Sequence, residues 1–221
     1  METPSLGDLP DIVPIFPLQG VLLLPRTPLP LHIFEPRYRA MTRDALAGDG
    51  YIAMIQPSGD AGGDPMNPPV YQTACLGKIA ASEQADDGRY NIVLAGVCRF
   101  RLVEELPLKD GYRRVRADYA PYASDLEPPP ADATTLEREP LLTALRAFLD
   151  RRKLKANWEE AAKASDEQLV NSLAMACPFA PQEKQALLEA EGLAARAQLL
   201  QTLCELDTGG VANDNTPRPM H

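Results

Sequence analysis

Apolar and polar residues alternate with a period of two through the first half of the chain and of about 3.6 through the second. The longest unbroken alternation is Tyr90–Val103. Tyr90, Ile92, Leu94, Gly96, Cys98, Phe100 and Leu102 fall on one phase, and Arg99 and Arg101 on the other. This predicts a strand long enough to wrap around a barrel, with Gly96 where it can bend. Asp86-Asp87-Gly88 is a hairpin-turn signal that would pair this strand with Cys75–Ser82. Tyr112–Tyr119 alternates as well. Upstream, Asp11–Phe16, Val21–Leu24 and Leu29–Phe34 read as short strands, and Tyr51–Ile55, apolar on both phases, reads as a buried one. A helix is predicted between them. It begins at Glu35-Pro36-Arg37-Tyr38, has Tyr38, Met41, Ala45 and Leu46 on its apolar side, and ends near Gly48-Asp49-Gly50.

Past Pro128–Pro130 the period turns helical. Leu141, Leu142, Leu145, Phe148 and Leu149 share a face. Ser165 with Gln168 forms a capping box ahead of Leu169, Val170, Leu173 and Ala174. Pro181 starts a helix running to Gly192, and Leu193, Ala197, Leu200, Leu203 and Cys204 mark a last one. The expected organisation is a β-barrel subdomain over 1–122, a helical bundle over 123–207 and a disordered tail over 208–221. Residues 57–69 (PSGDAGGDPMNPP) read as a turn-rich loop.

Composition sharpens this outline. The 221 residues include 22 prolines, crowded into the first 36 residues, the 57–69 loop and the break near 128–130. Proline sits at edges, strand starts and turns, which agrees with short strands and frequent corners there. The net charge is −9. Residues 1–120 carry 12 basic and 15 acidic side chains and the rest 10 and 16, so neither half is basic. An acidic chain opposes non-specific binding to nucleic acid or an anionic membrane. The N-terminus lacks the features of a signal peptide, and no apolar run, Val21–Leu24 included, comes near a bilayer span. Cys75, Cys98, Cys177 and Cys204 lie far apart without a CxxC, against a disulfide framework and for a reducing, cytoplasmic location.

Little in the chain carries catalytic chemistry. Of the two histidines, His221 is terminal and His32 lies in a strand with no nucleophile motif nearby. The sequence has no G-x-S-x-G, H-E-x-x-H, P-loop or G-x-G-x-x-G after a strand. Gly59–Gly63 sits beside Asp60 and Asp64, which would repel a phosphate. The expectation is no catalytic, cofactor-binding or metal-binding residue and no cofactor. Arg99, Arg101, Arg114 and Arg116 occupy one phase of two neighbouring strands. They read either as cross-strand ion pairs with Glu104, Glu105 and Asp118 on an outer face, or as a basic stripe for RNA.

Three stretches carry a family resemblance: Ile12–Met41 (IVPIFPLQGVLLLPRTPLPLHIFEPRYRAM), Asp87–Leu102 (DGRYNIVLAGVCRFRL) and Leu169–Leu203 (LVNSLAMACPFAPQEKQALLEAEGLAARAQLLQTL). Together they resemble the Lon protease N-terminal domain, also called the Lon substrate-binding domain, from Ile12 to about residue 206. The resemblance implies an α+β fold, a PUA-like β-barrel followed by a C-terminal helical bundle, which matches the outline from periodicity. It also implies recognition of polypeptides. No ATPase motif or peptidase segment accompanies it, so the expectation is a stand-alone bacterial member without those domains and without enzymatic activity.

The function expected is a polypeptide-binding module, an adaptor or holdase in protein quality control. Its partners would be unfolded or extended polypeptide and a Lon-type protease, with no membrane and no nucleic-acid partner. The apolar residues of the proline-rich start cannot all be buried in regular structure. Phe16, Leu23, Phe34 and Tyr38, with Trp158 from the helical half, are therefore the candidate peptide-binding residues, by exposed patch or by strand-edge pairing. The alternative is an RNA-binding PUA-like module that uses the arginine stripe.

Overall fold

Residues 4–59, 67–128 and 136–207 are described by the computed structural model. Residues 60–66 of the expected 57–69 loop, the linker residues Pro129 and Pro130 and the tail at 208–221 lie outside the described residues. The chain divides into two units, Met1–Ala131 and Asp132–His221.

The first unit holds β1 (Ile12–Pro17), β2 (Pro28–Ile33), α1 (Pro36–Ala47), β3 (Tyr51–Ile55), β4 (Thr73–Gln84), β5 (Tyr90–Lys109) and β6 (Tyr112–Asp118). The strands form a mixed sheet in the order β2-β5-β4-β3-β1-β6, and β6 pairs a second time with β5. β1 runs parallel to β3 and antiparallel to β6. The 20-residue β5 makes the double pairing feasible: its first half lies between β2 and β4, and its second half pairs with β6. The result is the barrel-like sheet that the period-2 pattern predicts. Val13, Ile15, Ala53, Ile55, Leu76, Cys98, Phe100 and Val115 fill its core.

The predicted phase of β5 holds, with Tyr90, Ile92, Leu94, Gly96, Cys98 and Phe100 all buried. The β4–β5 hairpin turns at Asp86-Asp87-Gly88, with Gln84 opposite Tyr90. β5 continues to Lys109, past the end predicted at Val103. Glu104 and Glu105 pair with Arg116 and Val115 of β6, and Asp110 (φ 50°) and Gly111 (φ 83°) supply the positive φ of a tight hairpin turn. Pro107 is tolerated because it falls within a register shift between Leu106 and Lys109.

Val21–Leu24, predicted as a strand, is irregular backbone with Leu22, Leu23 and Leu24 buried. It lies over the sheet instead of joining it. Arg26, at φ 61°, turns the chain, its N–H donating to the Gly96 carbonyl (2.8 Å), and the Gly96 N–H donates to the Thr27 carbonyl (2.9 Å). A Cβ on Gly96 would lie 2.0 Å from the Leu24 carbonyl oxygen. Gly96 therefore serves close backbone approach as well as bending, and the β4–β5 register shifts beside it, between Leu76 and Gly77.

The arginine phase does not form one outer stripe. Arg99 is only 4% exposed, because the face it points from is covered by the 3-10 segment Ala120–Leu126. Its guanidinium makes a bidentate pair with Asp125 (Nε to Oδ2 and Nη2 to Oδ1, both 2.8 Å) and lies 4.6 Å from the Tyr122 ring centroid. Asp125 also accepts the Arg99 N–H (3.0 Å), and Arg26 reaches the Asp125 carbonyl. Arg116 pairs with Glu104 (2.8 Å) on the exposed face. Arg113 pairs with Glu105 (2.6 Å), and Arg114 donates to the Pro107 carbonyl (3.1 Å).

The second unit contains α2 (Arg138–Arg152), α3 (Trp158–Lys163), α4 (Asp166–Ala176), α5 (Pro181–Glu189) and α6 (Gly192–Leu206). α2 buries Leu141, Ala144, Leu145, Phe148 and Leu149. The Ser165–Gln168 capping box forms in both directions (3.2 and 3.0 Å). α5 ends at Glu189, short of the expected Gly192. Buried Arg196 donates to the Leu187 carbonyl (2.9 Å) and Asn171 Oδ1 (3.0 Å), tying α6 to α5 and α4. Buried Lys184 donates to the Met175 carbonyl (2.8 Å) in the last turn of α4.

Candidate functional site

Of the five residues singled out from the sequence, the four in the first unit do not form one exposed patch. Phe16 and Tyr38 are buried against each other, ring centroids 4.2 Å apart, and fasten α1 to β1. Leu23 is buried over Gly77. Phe16 and Tyr38 reach the core from β1 and α1, and Leu23 reaches it because the irregular 21–27 segment packs on the sheet. Phe34, immediately after β2, is 58% exposed. Trp158 belongs to the second unit and is 37% exposed, with the Arg146 guanidinium 5.1 Å from its ring centroid.

Phe34 leads into α1, and α1 forms one wall of a groove of about 370 Å³. Pro36, Arg39, Ala40 and Arg43 of the helix face Gln84, Gly88 and Tyr90 of the β4–β5 hairpin. Pro36 fits the first helical turn, where its missing N–H has no intrahelical partner to lose. Arg39 and Arg43 are four apart and share a helix face. Gly88, at φ 78°, makes room for the first: a Cβ there would lie 2.0 Å from Arg39 Nη2. The Arg39 guanidinium rests on the hairpin and has no ion pair among the described residues. Arg43 is shared between Asp44 (2.8 Å) and Asp110 (3.2 Å).

Asp44 fixes the far end of this wall. Its carboxylate accepts from Arg43, from Lys109 Nζ (2.9 Å) and from the Tyr112 hydroxyl (3.0 Å). These hydrogen bonds, that of Lys109 first, hold its pKa down at about 2. The helix is thereby tied to the β5–β6 turn. At the other end, Arg37 pairs with Glu35 (3.0 Å) and lies 4.5 Å from the Tyr38 ring centroid, which fixes the strand-to-helix corner.

The outer edge of β2 is open, with no second strand paired to it among the described residues. Because the Gly96 N–H donates to Thr27, these two face each other as a hydrogen-bonded pair. Bonded and non-bonded pairs alternate along an antiparallel ladder. In the register Pro28↔Ala95 to Ile33↔Tyr90, Leu29, Leu31 and Ile33 aim their N–H groups at β5. The outward positions are Pro28, Pro30 and His32. Proline has no N–H, so this edge presents carbonyl acceptors but a single donor, that of His32. The His32 ring is itself engaged, Nδ1 lying 2.8 Å from Asn91 Oδ1.

The four cysteines are buried thiols, and none of them forms a disulfide. Desolvation pushes the Cys98 and Cys204 thiols up to about 12 and Cys177 to about 11, so these three remain protonated and non-nucleophilic near neutral pH. Among the described residues, no group of three or more His, Cys, Asp or Glu side chains could hold a metal, and no helix is long and apolar enough to cross a membrane.

Residues 12–205 match the family model described as the ATP-dependent protease La (LON) substrate-binding domain. Among curated relatives, Lon protease 2 of Myxococcus xanthus is 24% identical over 196 residues, covering 89% of this chain and 24% of that protein. Lon protease 2 of Sorangium cellulosum is 26% identical over 207 residues, covering 90% and 25%. The chain thus spans about a quarter of the length of these relatives. Among solved structures, the Lon N-terminal domain protein from Xanthomonas campestris aligns with a TM-score of 0.60 at 20% identity, over 86% of this chain and 97% of that one. The N-terminal domain of the Mycobacterium avium complex Lon protease aligns with a TM-score of 0.59 at 20% identity, over 87% and 97%. The barrel-like sheet followed by helices is the fold they share.

Proposed function

This chain belongs to the LON substrate-binding domain family, and from that premise we propose that it is a non-enzymatic module that binds unfolded or extended polypeptide. In this reading it serves protein quality control as an adaptor or holdase, with a Lon-type protease as its partner. The observation that carries the reading is Phe34. It is a large aromatic side chain, 58% exposed, two residues before the proline that opens the α1 groove. Exposed aromatics with an adjoining concave surface are what anchor an apolar segment. Side chains make the contact. Adding a client strand to β2 would leave all but one of the client's inward-facing carbonyls without a donor, so strand addition is the weaker mode.

The test is fluorescence anisotropy of a labelled, reduced and unfolded model protein titrated with the purified chain, without nucleotide. Saturable binding that weakens about 10-fold in Phe34→Ala is expected, with folding unaffected since the side chain is largely outside the core. Binding no tighter than to an unrelated acidic protein, or binding indifferent to Phe34→Ala, would overturn it.

A further inference from the structure

We infer that the loop joining α2 to α3 is a second docking site, for an acidic polypeptide segment that also carries an apolar side chain. The chain as a whole is acidic at −9, yet residues 146–155 hold five basic side chains (Arg146, Arg151, Arg152, Lys153, Lys155) against one acidic, Asp150. Two of these are spoken for, since Arg152 pairs with Asp207 and Arg151 reaches both Asp207 and the Cys204 carbonyl. Among the described residues Arg146, Lys153 and Lys155 have no ion pair. Beside them are two exposed apolar groups, Leu154 at 42% and Trp158 at 37%. Arg146 stacks toward Trp158, which holds the ring in place and leaves it accessible.

The backbone adds a second observation. Lys153 closes α2 in the left-handed conformation (φ 55°), with the Leu154 N–H donating to the Leu149 carbonyl (2.9 Å). Glycine is the residue favoured at this position. The fold therefore carries a lysine where glycine would serve its stability better.

Charge decides the occupant. The free ammonium groups of Lys153 and Lys155 suit carboxylates, and Trp158 with Leu154 suits an apolar side chain between them. Glu159 and Glu160 directly follow Trp158 and bound the positive region on one side. That arrangement suits a short acidic segment better than the uniform phosphate chain of a nucleic acid or an anionic lipid surface. The occupant's class rests on the polypeptide-binding reading, but the site shares no residue with the α1 groove.

Trp158 is the one tryptophan in the chain, so its emission reports this site directly. The test titrates the full chain with a labelled peptide alternating glutamate and leucine, following label anisotropy and Trp158 emission together. Both signals are expected to saturate in parallel and to weaken as salt is raised. Lys153→Gly should bind about 3-fold more weakly while folding at least as stably, and Lys153→Glu with Lys155→Glu should bind at least about 10-fold more weakly. Phe34→Ala should leave this titration unchanged, which separates failure here from failure of the groove. The inference is overturned by anisotropy without a change in Trp158 emission, by indifference to the lysine variants, or by no binding. Tighter binding of a lysine–leucine peptide, a single-stranded oligonucleotide or phosphatidylserine vesicles overturns it equally.

Discussion

Replacing Asp125 by alanine removes the carboxylate partner of a buried cation. Arg99 is 4% exposed and loses two charge-assisted hydrogen bonds of 2.8 Å, and its own N–H loses a third at 3.0 Å. Truncating one member of a buried pair costs about 3–5 kcal/mol, most of it from the charge left behind. Tyr122 still offers its ring face at 4.6 Å, which recovers about 0.5–1 kcal/mol. A net loss of about 3 kcal/mol is expected. Removing both charges, as Arg99→Met with Asp125→Leu, should cost much less than Asp125→Ala alone, because no charge is stranded. Urea denaturation followed by tyrosine circular dichroism measures this, since all seven tyrosines lie in the first unit. A loss below about 1 kcal/mol for Asp125→Ala, or a double variant as unstable as the sum of the singles, would refute the claim that the pair pins the 120–126 segment.

Two further outcomes follow from the same unit. Asp44 has its pKa lowered to about 2, so it stabilises the fold above the unfolded carboxylate's ordinary value near 4 and ceases to do so as pH falls toward 2. With solvent screening, its contribution at neutral pH is about 1 kcal/mol, and the stability gap between wild type and Asp44→Asn should close by about pH 2 in acid titrations monitored by circular dichroism. Gly96→Ala places a methyl 2.0 Å from the Leu24 carbonyl oxygen and should cost about 3 kcal/mol or prevent folding, whereas Gly7→Ala, whose nearest atom is 3.9 Å away, should be tolerated. Equal thermal midpoints for the two variants would refute the close approach.

Much of the fold was legible because periodicity is local. The inward phase of β5, the capping box at Ser165 and the proline start of α1 depend on neighbours in sequence, and all stand where the pattern puts them. What failed depends on distant chain. Leu22–Leu24 look like a strand until Gly77 and Gly96, far along the chain, provide a surface without side chains to pack against. Arg99 looks solvent-facing until residues 120–126 fold over it. The candidate site was legible only at Phe34. The i,i+4 spacing of Arg39 and Arg43 and the Asp86-Asp87-Gly88 turn are visible in the sequence. Nothing local says that they face each other across a groove.

The prolines of β2 have a consequence for the molecule's life among its own copies. Under the proposed function, a module that captures unfolded chains works where sticky, half-folded material is concentrated. An open strand edge in that setting templates end-on growth of sheets from chain to chain. Pro28 and Pro30 stand at the outward positions of that edge, so an incoming strand meets carbonyls it can satisfy and gaps where it needs donors. Under that proposal, copies of this protein gather on one client without zipping to one another. The residues that give the sequence its proline-rich opening thus act as insulation between neighbours.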